Sequence, residues 1–593
     1  MKKTFKRLGA ALLAMAMAVS VLCTGALADG SYSITIENTT EGYTYEAYQV
    51  FAGTLGTKAE NATETPLGIT DWGSNLKGKE SDLITALQGD DTFKTNGTND
   101  FDNVLKKKNE ANGTAIAANS AEAAQNVAAV LGTYTNDDAK ARAFAKIVVN
   151  YLTGNAAGPT STLSNDGYKI DLTQAGYYVV KNTAVPAGEA YSSNLLKVVG
   201  NEKVQPKTSV PTVEKKVQNP SNKKEGAQDS EDYSEDYSKG TTAQIGDTVN
   251  FTLTATLPDK YNDYQQYKLV FHDTLSKGLT LNKNSIEVYK DSINDNNKID
   301  AGKYTIKPTG DTPLADGCTF EVEFSNLKDA DSGVTGLTNS SKIIVKYTAT
   351  LNENASLNAT AGNINEVKLE YSNDPNHTGT GDPTGNTTKD EVKVYTTGLQ
   401  LKKTDGTNIL TGAEFEITGI SHKVGYVYRQ SEKGTYYKLA DGTYSTTKPE
   451  GVDDASVTKY ERIEAKTDNQ VVKATATVGE DGILVIRGLG TGTYIITEIK
   501  APNGYNLLQE PITITITANA DKENCKWTVK KGEETINNAN TDHLYEFEVV
   551  NKSGSTLPST GGMGTTLFYI IGGVLMAGAA VVLVIKKKRS SAE

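Results

Sequence analysis

The chain is poor in the residues that cross-link small exported proteins or build metal enzymes. Its 593 residues include only three cysteines and four histidines. Cys23 lies in an N-terminal apolar run, and Cys318 and Cys525 are far apart, so we expect no structural disulfide. No histidine belongs to a Cys/His/Asp cluster with the spacing of zinc ligands. The sequence therefore predicts neither a metal nor a cofactor, and it argues against a zinc hydrolase.

Positive charge is also scarce. The chain has 60 Lys and Arg against 72 Asp and Glu, a formal net charge of −12, so nucleic acid is not an expected partner. Outside the buried groups described below, the sequence lacks a nucleophile–His–acid set or a pair of carboxylates suited to hydrolysis. We therefore expect a protein that is not an enzyme, and we disfavour a secreted hydrolase.

Both ends of the chain carry export and anchoring signals. Residues 1–28 combine early basic residues, an apolar run and a small-residue cleavage site, as in a secretory signal peptide. Residues 567–585 are mainly apolar and long enough to cross a bilayer as a helix, and the basic residues 586–589 would stay on the cytoplasmic side. Just before this segment come Leu557, Pro558, Ser559, Thr560 and Gly561.

This order of motif, apolar segment and basic tail resembles the sorting signal of LPxTG proteins of Gram-positive bacteria. In that family a sortase, a transpeptidase with a catalytic cysteine, cleaves between Thr and Gly. The resemblance implies that the bond between Thr560 and Gly561 is cut here. It also implies a cell wall location, with Thr560 transferred to an amine that peptidoglycan or another protein supplies.

Short alternating runs rich in Thr, Val, Ile and Tyr, separated by Gly, Asn and Asp, fill most of the remaining sequence. They predict an all-β fold of tandem Ig-like β-sandwich domains. Examples are residues 33–36, 251–254, 343–347 and 512–516. Helical periodicity occurs only in the first third, over residues 121–131, capped by Ser120, and over residues 139–152. The first domain should therefore be a sandwich with helical insertions.

Changes in composition divide the chain into five parts. A proline-containing stretch at residues 206–211 and a break near residues 396–398 mark the two inner boundaries. The parts are a signal peptide (1–28), an N-terminal domain (29–205), a second domain (206–396), a third domain (397–555) and a sorting signal (557–593).

Three polar residues of the third domain fall on faces that otherwise carry core residues. Side chains alternate along a strand, so Lys403 shares a face with Leu399 and Leu401. Glu498 and Asn551 are likewise in phase with apolar residues two and four positions earlier. Burial favours a neutral amine and a protonated carboxyl, so the lysine can attack the Asn amide while the acid moves protons. The predicted product is a Lys403–Asn551 isopeptide bond, with ammonia released.

The sequence around Glu498 resembles the E-box of the collagen-adhesin B-type modules of Gram-positive pilins, Tyr-x-φ-x-Glu-Thr-x-Ala-Pro-x-Gly-Tyr. The match covers residues 494–505 and departs at Ile499, where Thr is usual. The glutamate is retained. The resemblance implies a B-type domain in which Glu498 is the catalytic acid of the cross-link.

The second domain carries a related set. Lys215 and Asp273 are in phase with apolar neighbours, and so are Asn363 and Asn365 in the strand expected to end the domain. The arrangement resembles the collagen-adhesin A-type modules of backbone pilins, which use Lys, Asp and Asn. It implies an isopeptide bond from Lys215 to Asn365 or, as second choice, to Asn363, with Asp273 as the catalytic acid.

The first domain departs from this pattern. Residues 176–186 align with the E-box, Tyr178 on Tyr494, but Asn182 stands where the glutamate should be. The opening strand, residues 32–38, contains no lysine. We therefore expect no isopeptide bond by this route, and we expect this end of the protein to be the least stable.

A lysine at the first inner boundary suggests a polymer. Lys207 ends a Val-Gln-Pro-Lys sequence that resembles the Val-Tyr-Pro-Lys pilin motif, with Gln205 in place of Tyr. Proline keeps such a segment extended and without its own amide hydrogen bond. The resemblance implies a backbone pilin, in which a class C sortase joins Lys207 to Thr560 of the next identical subunit.

Further partners follow from this resemblance. A housekeeping sortase would attach the polymer to peptidoglycan, minor pilins would accompany it, and the pilus would support adhesion to a host ligand that the sequence does not identify. The alternative is a single wall-anchored adhesin of the same modular build, with Thr560 joined directly to peptidoglycan.

Overall fold

Alternation of apolar and polar residues makes β-strand the dominant structure of this chain. The computed structural model describes residues 32–56, 67–107, 114–134, 138–158, 160–192, 195–198, 202–204, 209–219, 237–310, 312–377, 383–419, 423–453, 457–468, 471–537 and 539–553. The four example segments all lie in strands, and strands arranged in several sheets make up most of the regular structure, so the predicted all-β class is confirmed. Among the described residues, α-helices occur only in the first third, also as predicted.

The first β region contains two four-stranded sheets, ordered β10-β1-β7-β6 and β3-β2-β8-β9, and one small hairpin, β4-β5. Its strands are β1 Tyr32–Ile36, β2 Thr44–Leu55, β3 Leu67–Trp72, β4 Lys94–Thr95, β5 Thr98–Asn99, β6 Thr162–Ser164, β7 Gly167–Leu172, β8 Gly176–Ala184, β9 Leu195–Val198 and β10 Glu202–Val204. One core lies between the two sheets, and a second lies between strands β2, β3 and β8 and the helices.

Three helices are inserted into this first region. They are α1 Glu80–Gly89, α2 Ala121–Leu131 and α3 Asp138–Val148, the last continued by one 3₁₀ turn, Val149–Tyr151. The Ser120 hydroxyl accepts a hydrogen bond from the Ala123 amide (3.2 Å), which confirms the predicted cap of α2. The sequence does not predict α1, which has no side-chain cap and forms by burying Leu83, Ile84 and Leu87.

The second β region packs two sheets around one apolar core. The sheets are ordered β11-β13-β18-β15 and β12-β21-β19-β14-β17-β16, with β20 also paired to β19. The strands are β11 Thr212–Gln218, β12 Gly240–Thr242, β13 Thr248–Thr256, β14 Leu269–Leu275, β15 Leu279–Lys290, β16 Thr305–Lys307, β17 Phe320–Phe324, β18 Lys342–Leu351, β19 Asn363–Ser372, β20 Thr384–Asn386 and β21 Asp390–Tyr395.

The strand that carries Asn363 and Asn365 does not end this region, contrary to the prediction. Two further strands, β20 and β21, follow β19 before residue 396. β21 is a short alternating run that buries Val392 and Val394, and a turn-rich stretch precedes it. Turn residues precede β21 and the expected domain boundary follows it, so the sequence did not predict this strand. Its pairing with β12 and β19 defines it in the structure.

The third β region again consists of two main sheets, with the core between them. Their orders are β27-β24-β30-β22-β35 and β28-β29-β23-β31-β32-β33-β34, and β25-β26 form a hairpin. The strands are β22 Thr397–Thr404, β23 Glu414–Gly419, β24 Tyr426–Gln430, β25 Tyr437–Lys438, β26 Tyr444–Ser445, β27 Tyr460–Ile463, β28 Lys466–Asp468, β29 Val471–Thr477, β30 Ile483–Leu489, β31 Gly492–Lys500, β32 Ile512–Ala520, β33 Cys525–Lys531, β34 Glu534–Ile536 and β35 Leu544–Val550.

The first and last strands of the third region, β22 and β35, run parallel and pair directly. Their register places Lys403 opposite Val549. Among the described residues, no helix has the length and apolar character needed to cross a membrane. The signal peptide and the predicted span at residues 567–585 lie outside those residues.

Candidate cross-link sites

Lys215 of β11 projects across the core of the second region to the opposite sheet. Its side chain is fully buried and forms an ion pair with Asp273 on β14. The ammonium nitrogen Nζ also lies 2.5 Å from Oδ1 of Asn365 on β19 and donates to the Glu366 carbonyl at 3.3 Å. The alternation of side chains along β11, β14 and β19 therefore brings a lysine, an acid and an amide together inside one core.

A tyrosine completes this site. Tyr347 of β18 donates its hydroxyl proton to Oδ1 of Asp273 (3.0 Å) and accepts a hydrogen bond from Nδ2 of Asn365 (2.6 Å). Its ring stacks on Phe251, and both rings lie within 6 Å of the lysine nitrogen. The four polar side chains form a closed hydrogen-bonded ring surrounded by aromatic walls. Tyr347 was not predicted as a site residue, although its alternation with Ile343 and Val345 indicates a core-facing side chain.

Burial changes the protonation of the central pair. It lowers the pKa of Lys215 to about 8, although the neighbouring Asp273 opposes that shift. Burial also raises the pKa of Asp273, again against the influence of the lysine. Both shifts favour the neutral forms, an amine and a carboxylic acid. A neutral amine beside an amide carbonyl has the lone pair that nucleophilic attack requires.

Asn363 occupies a different environment from Asn365. Its Oδ1 accepts from the Ser356 amide (2.8 Å), and its Nδ2 donates to the carbonyls of Ser356 (3.1 Å) and Val394 (3.0 Å). These bonds tie β19 to a neighbouring turn and to β21. The structure thus brings Asn365, rather than Asn363, to Lys215.

The third region also buries the three residues that its sequence singles out. Lys403 on β22, Glu498 on β31 and Asn551 just after β35 are each at most 3 % exposed. Nδ2 of Asn551 donates to Oε2 of Glu498 at 2.8 Å, and the amide of Leu508 donates to the same oxygen at 2.9 Å. The carboxyl group of Glu498 and the side-chain amide of Asn551 are therefore already hydrogen-bonded to each other.

The lysine of this set is directed at backbone groups. Nζ of Lys403 donates to the carbonyl of Val549 (2.8 Å) and to that of Thr404 (3.3 Å). Burial lowers its pKa, and the charge of Glu498 works against that shift. Oε1 of Glu498 and Oδ1 of Asn551 have no hydrogen-bond partner among the described residues. A buried acceptor without a hydrogen bond costs about 1–3 kcal/mol. These two oxygens would therefore gain from a donor such as the buried Lys403 amine.

The first region has a segment built like the one around Glu498, but it lacks the buried lysine, acid and amide of a cross-link site. The Tyr178 hydroxyl donates to the Gln174 carbonyl (2.8 Å), just as the Tyr494 hydroxyl donates to the Gly490 carbonyl (3.1 Å). This shared contact supports the alignment of the two segments. Oδ1 of Asn182, at the glutamate position, accepts from the backbone amide of Ser192 (3.1 Å) and from its hydroxyl.

The remaining predicted site residues lie outside the described residues. These are the acceptor Lys207 and the sorting motif Leu557, Pro558, Ser559, Thr560 and Gly561.

The structure also brings His272, Asp316, Cys318 and Glu321 within metal-ligand distance of one another. Sequence spacing does not predict this group, because its members come from two strands and a loop.

The fold and the buried sets define a modular β protein with amine and amide groups paired inside its domains. Residues 397–531 match the prealbumin-like fold domain family SpaA, and residues 549–591 match the LPXTG cell wall anchor motif. The chain is therefore a cell wall-anchored surface protein, and its resemblance to LPXTG-anchored backbone pilins is supported.

Individual proteins also resemble this chain. The chain is 23 % identical over 394 residues to the trypsin-resistant surface T6 protein of Streptococcus pyogenes serotype M6, a match covering 57 % of this chain and 64 % of the relative's length. Among solved structures, the T6 backbone pilin of that organism aligns with a TM-score of 0.45 and the major pilin SpaD of Corynebacterium diphtheriae with 0.42. Each is 15 % identical and covers 88 % of this chain and 98 % of its own.

Proposed function

We propose that this protein is the structural backbone subunit of a covalently polymerised cell-surface pilus. Two kinds of amide bond would hold the polymer together. A sortase would join Lys207 of one subunit to Thr560 of the next, and Lys–Asn bonds would lock the second and third domains internally. The observation that carries the proposal furthest is the buried ring of Lys215, Asp273, Tyr347 and Asn365.

The chemistry of that ring balances without a cofactor. The neutral amine of Lys215 attacks the side-chain carbonyl carbon of Asn365, and the C–N bond to Nδ2 breaks. As a carboxylic acid, Asp273 gives its proton to the amide, whose nitrogen Tyr347 contacts, and takes back the proton that the attacking amine releases. The products are a Lys–Asn amide and one ammonia. The reaction occurs once per domain, so the protein is a structural component and not a turnover enzyme.

The same scheme applies to the third domain with Glu498 as the acid. Lys403 must leave the Val549 carbonyl and turn to Asn551, whose amide Glu498 already binds. The bond would connect β22 to the residue that follows β35. Because these are the first and last strands of the domain, a force along the chain would act on a covalent bond and could not peel the strands apart.

Hydrogen bonds between successive regions support the proposal that the subunit forms part of a pilus shaft. The Tyr191 amide donates to the Asn373 carbonyl (2.6 Å) between the first and second regions. The Ile245 amide donates to the Gly488 carbonyl (3.0 Å), and Nε2 of Gln244 donates to the Tyr494 hydroxyl (2.7 Å), between the second and third. Backbone hydrogen bonds thus cross both junctions, which favours a continuous filament of successive domains.

Covalent polymerisation can be tested by running cell-wall extracts on SDS gels, where covalent polymers remain intact. We expect wild type to give a high-mass ladder and Lys207→Ala to abolish it. Lys203→Ala, which removes a lysine four residues earlier, is the matched control and should keep the ladder. A single band from wild type would favour the wall-anchored adhesin, and a ladder that survives Lys207→Ala would refute the proposed acceptor.

A further inference from the structure

The outer face of β14 carries a cluster of four different potential metal ligands. His272 of β14 lies directly opposite Glu321 of β17, and Asp316 and Cys318 lie in the loop that leads into β17. Nδ1 of His272 is 3.0 Å from Oδ2 of Asp316, 3.3 Å from Oε1 of Glu321 and 4.0 Å from Sγ of Cys318. One ligand atom from each residue lies within 4.8 Å of the others.

These separations are close to those of a tetrahedral zinc centre. Zn²⁺ binds His nitrogen and carboxylate oxygen at about 2.0–2.2 Å and Cys sulfur at about 2.3 Å, which puts neighbouring ligands roughly 3.3–3.8 Å apart. The observed atoms need to shift by only about 1 Å to meet that geometry. Nitrogen, sulfur and carboxylate together favour zinc over the hard cations Ca²⁺ and Mg²⁺, which prefer oxygen ligands alone.

The imidazole is oriented as a metal ligand would be. While Nδ1 faces the cluster, Nε2 lies 3.4 Å from Oε2 of Glu370 on the neighbouring strand β19. A carboxylate near the second ring nitrogen is typical of zinc-bound histidines, and a small movement of Glu370 would let it accept a hydrogen bond from Nε2. His272 is also more than nine-tenths buried, so its orientation is held by packing.

The loop supplies both a buried anchor and an entry path. Cys318 is buried, whereas Asp316 is exposed. Gly317 between them adopts φ +74°, a conformation that favours glycine and allows the tight turn. Nζ of Lys368 lies 3.1 Å from Oδ2 of Asp316, and Nζ of Lys307 lies 3.8 Å from Oε2 of Glu321. The two lysines offset the negative charge of two carboxylates and a thiolate around Zn²⁺.

We propose that His272, Asp316, Cys318 and Glu321 form a Zn²⁺-binding site in the second domain. The metal is bound by Nδ1, one oxygen of each carboxylate and Sγ, and the thiol proton passes to solvent. The site joins β14 to the loop before β17 on the face of β14 opposite Asp273. It is separate from the cross-link chemistry and does not depend on it.

Metal titration of the chelator-treated, full-length purified protein tests this site. Co²⁺ should bind at one ion per chain and give the sulfur-to-cobalt charge-transfer absorption that only a thiolate ligand produces, and Zn²⁺ should displace it. Cys318→Ser should abolish the band, while Cys525→Ser should retain it, because Cys525 lies on β33 in the third region. Glu321→Gln, which keeps the thiol, should weaken Zn²⁺ binding at least tenfold.

A stability readout is independent of the absorption band. Because Zn²⁺ binds the folded site, it should raise the unfolding temperature of the wild-type and Cys525→Ser proteins, and not that of Cys318→Ser. Absence of the cobalt band in wild type, its survival in Cys318→Ser, or equal Zn²⁺ affinity in wild type and Glu321→Gln would each overturn the proposal.

Discussion

Asp273→Asn is expected to prevent the cross-link of the second domain while leaving its shape almost unchanged. The asparagine amide is isosteric with the carboxyl group, but it cannot accept the proton that Lys215 must lose. The intact mass of the purified protein should therefore rise by about one ammonia relative to wild type, apart from the small mass change of the substitution itself. Wild type should lack two ammonia molecules, one per bond.

The stability cost follows from the length of chain that the bond closes. Lys215 and Asn365 are 150 residues apart, and the chain-entropy relation used for disulfides gives about 5 kcal/mol for a closed loop of that length. At the entropy of unfolding of a domain of this size, the loss corresponds to roughly 10–20 °C in unfolding temperature. Differential scanning calorimetry should show this shift in the transition of the second domain.

Asp390→Asn is a matched control for that experiment. Oδ2 of Asp390 accepts from the backbone amide of Lys215 (2.6 Å) and pairs with Lys239, so it is an acid beside the site that does not contact the reactive amine. Its removal should leave the ammonia loss complete and change the unfolding temperature by much less. An Asp273→Asn protein that still lacks two ammonia molecules would refute the proposed role of Asp273.

Three further outcomes are expected. Asn365→Ala should restore one ammonia whereas Asn363→Ala should not, because Asn365 contacts Lys215 and Asn363 bonds elsewhere; peptide mapping by mass spectrometry distinguishes the two. Glu498→Gln should restore the other ammonia, since the acid beside Lys403 is lost, and intact mass in combination with Asp273→Asn should then show no ammonia missing. Burial lowers the pKa of the uncross-linked Lys215 to about 8, below its ordinary 10.5, and Asn365→Ala keeps that lysine uncross-linked. The unfolded chain of this variant should therefore bind more protons than the folded one above about pH 8. Its stability in denaturant should rise with pH toward 10.5, and adding Lys215→Met should remove that rise.

The core-facing residues of the two cross-link sites could be predicted because strand alternation is a local rule. Lys215, Asp273 and Asn365 each share a strand face with an apolar residue two positions away, and each is buried as that spacing predicts. The choice between Asn363 and Asn365 could not be made in this way, since both share one face of β19. It depends on which neighbour reaches across from β11, and that is a property of the packed sheets.

Features that arise only from tertiary packing were missed. Tyr347 alternates like an ordinary core residue, and only its contacts with Asp273 and Asn365 indicate a part in the chemistry. Helix α1 has no cap signal and is held by its buried face. The cluster of His272 and Cys318 joins residues 46 positions apart, which zinc-motif spacings do not cover.

In the proposed pilus, each subunit is joined to the next through its own lysine. Tandem mass spectrometry of protease-digested pilus material from the cell wall tests it directly. The proposal predicts a branched peptide in which the carboxyl group of Thr560 is joined to the side chain of Lys207, with Gly561 and all later residues absent. Recovery of Thr560 joined solely to peptidoglycan, with Lys207 always unmodified, would contradict it.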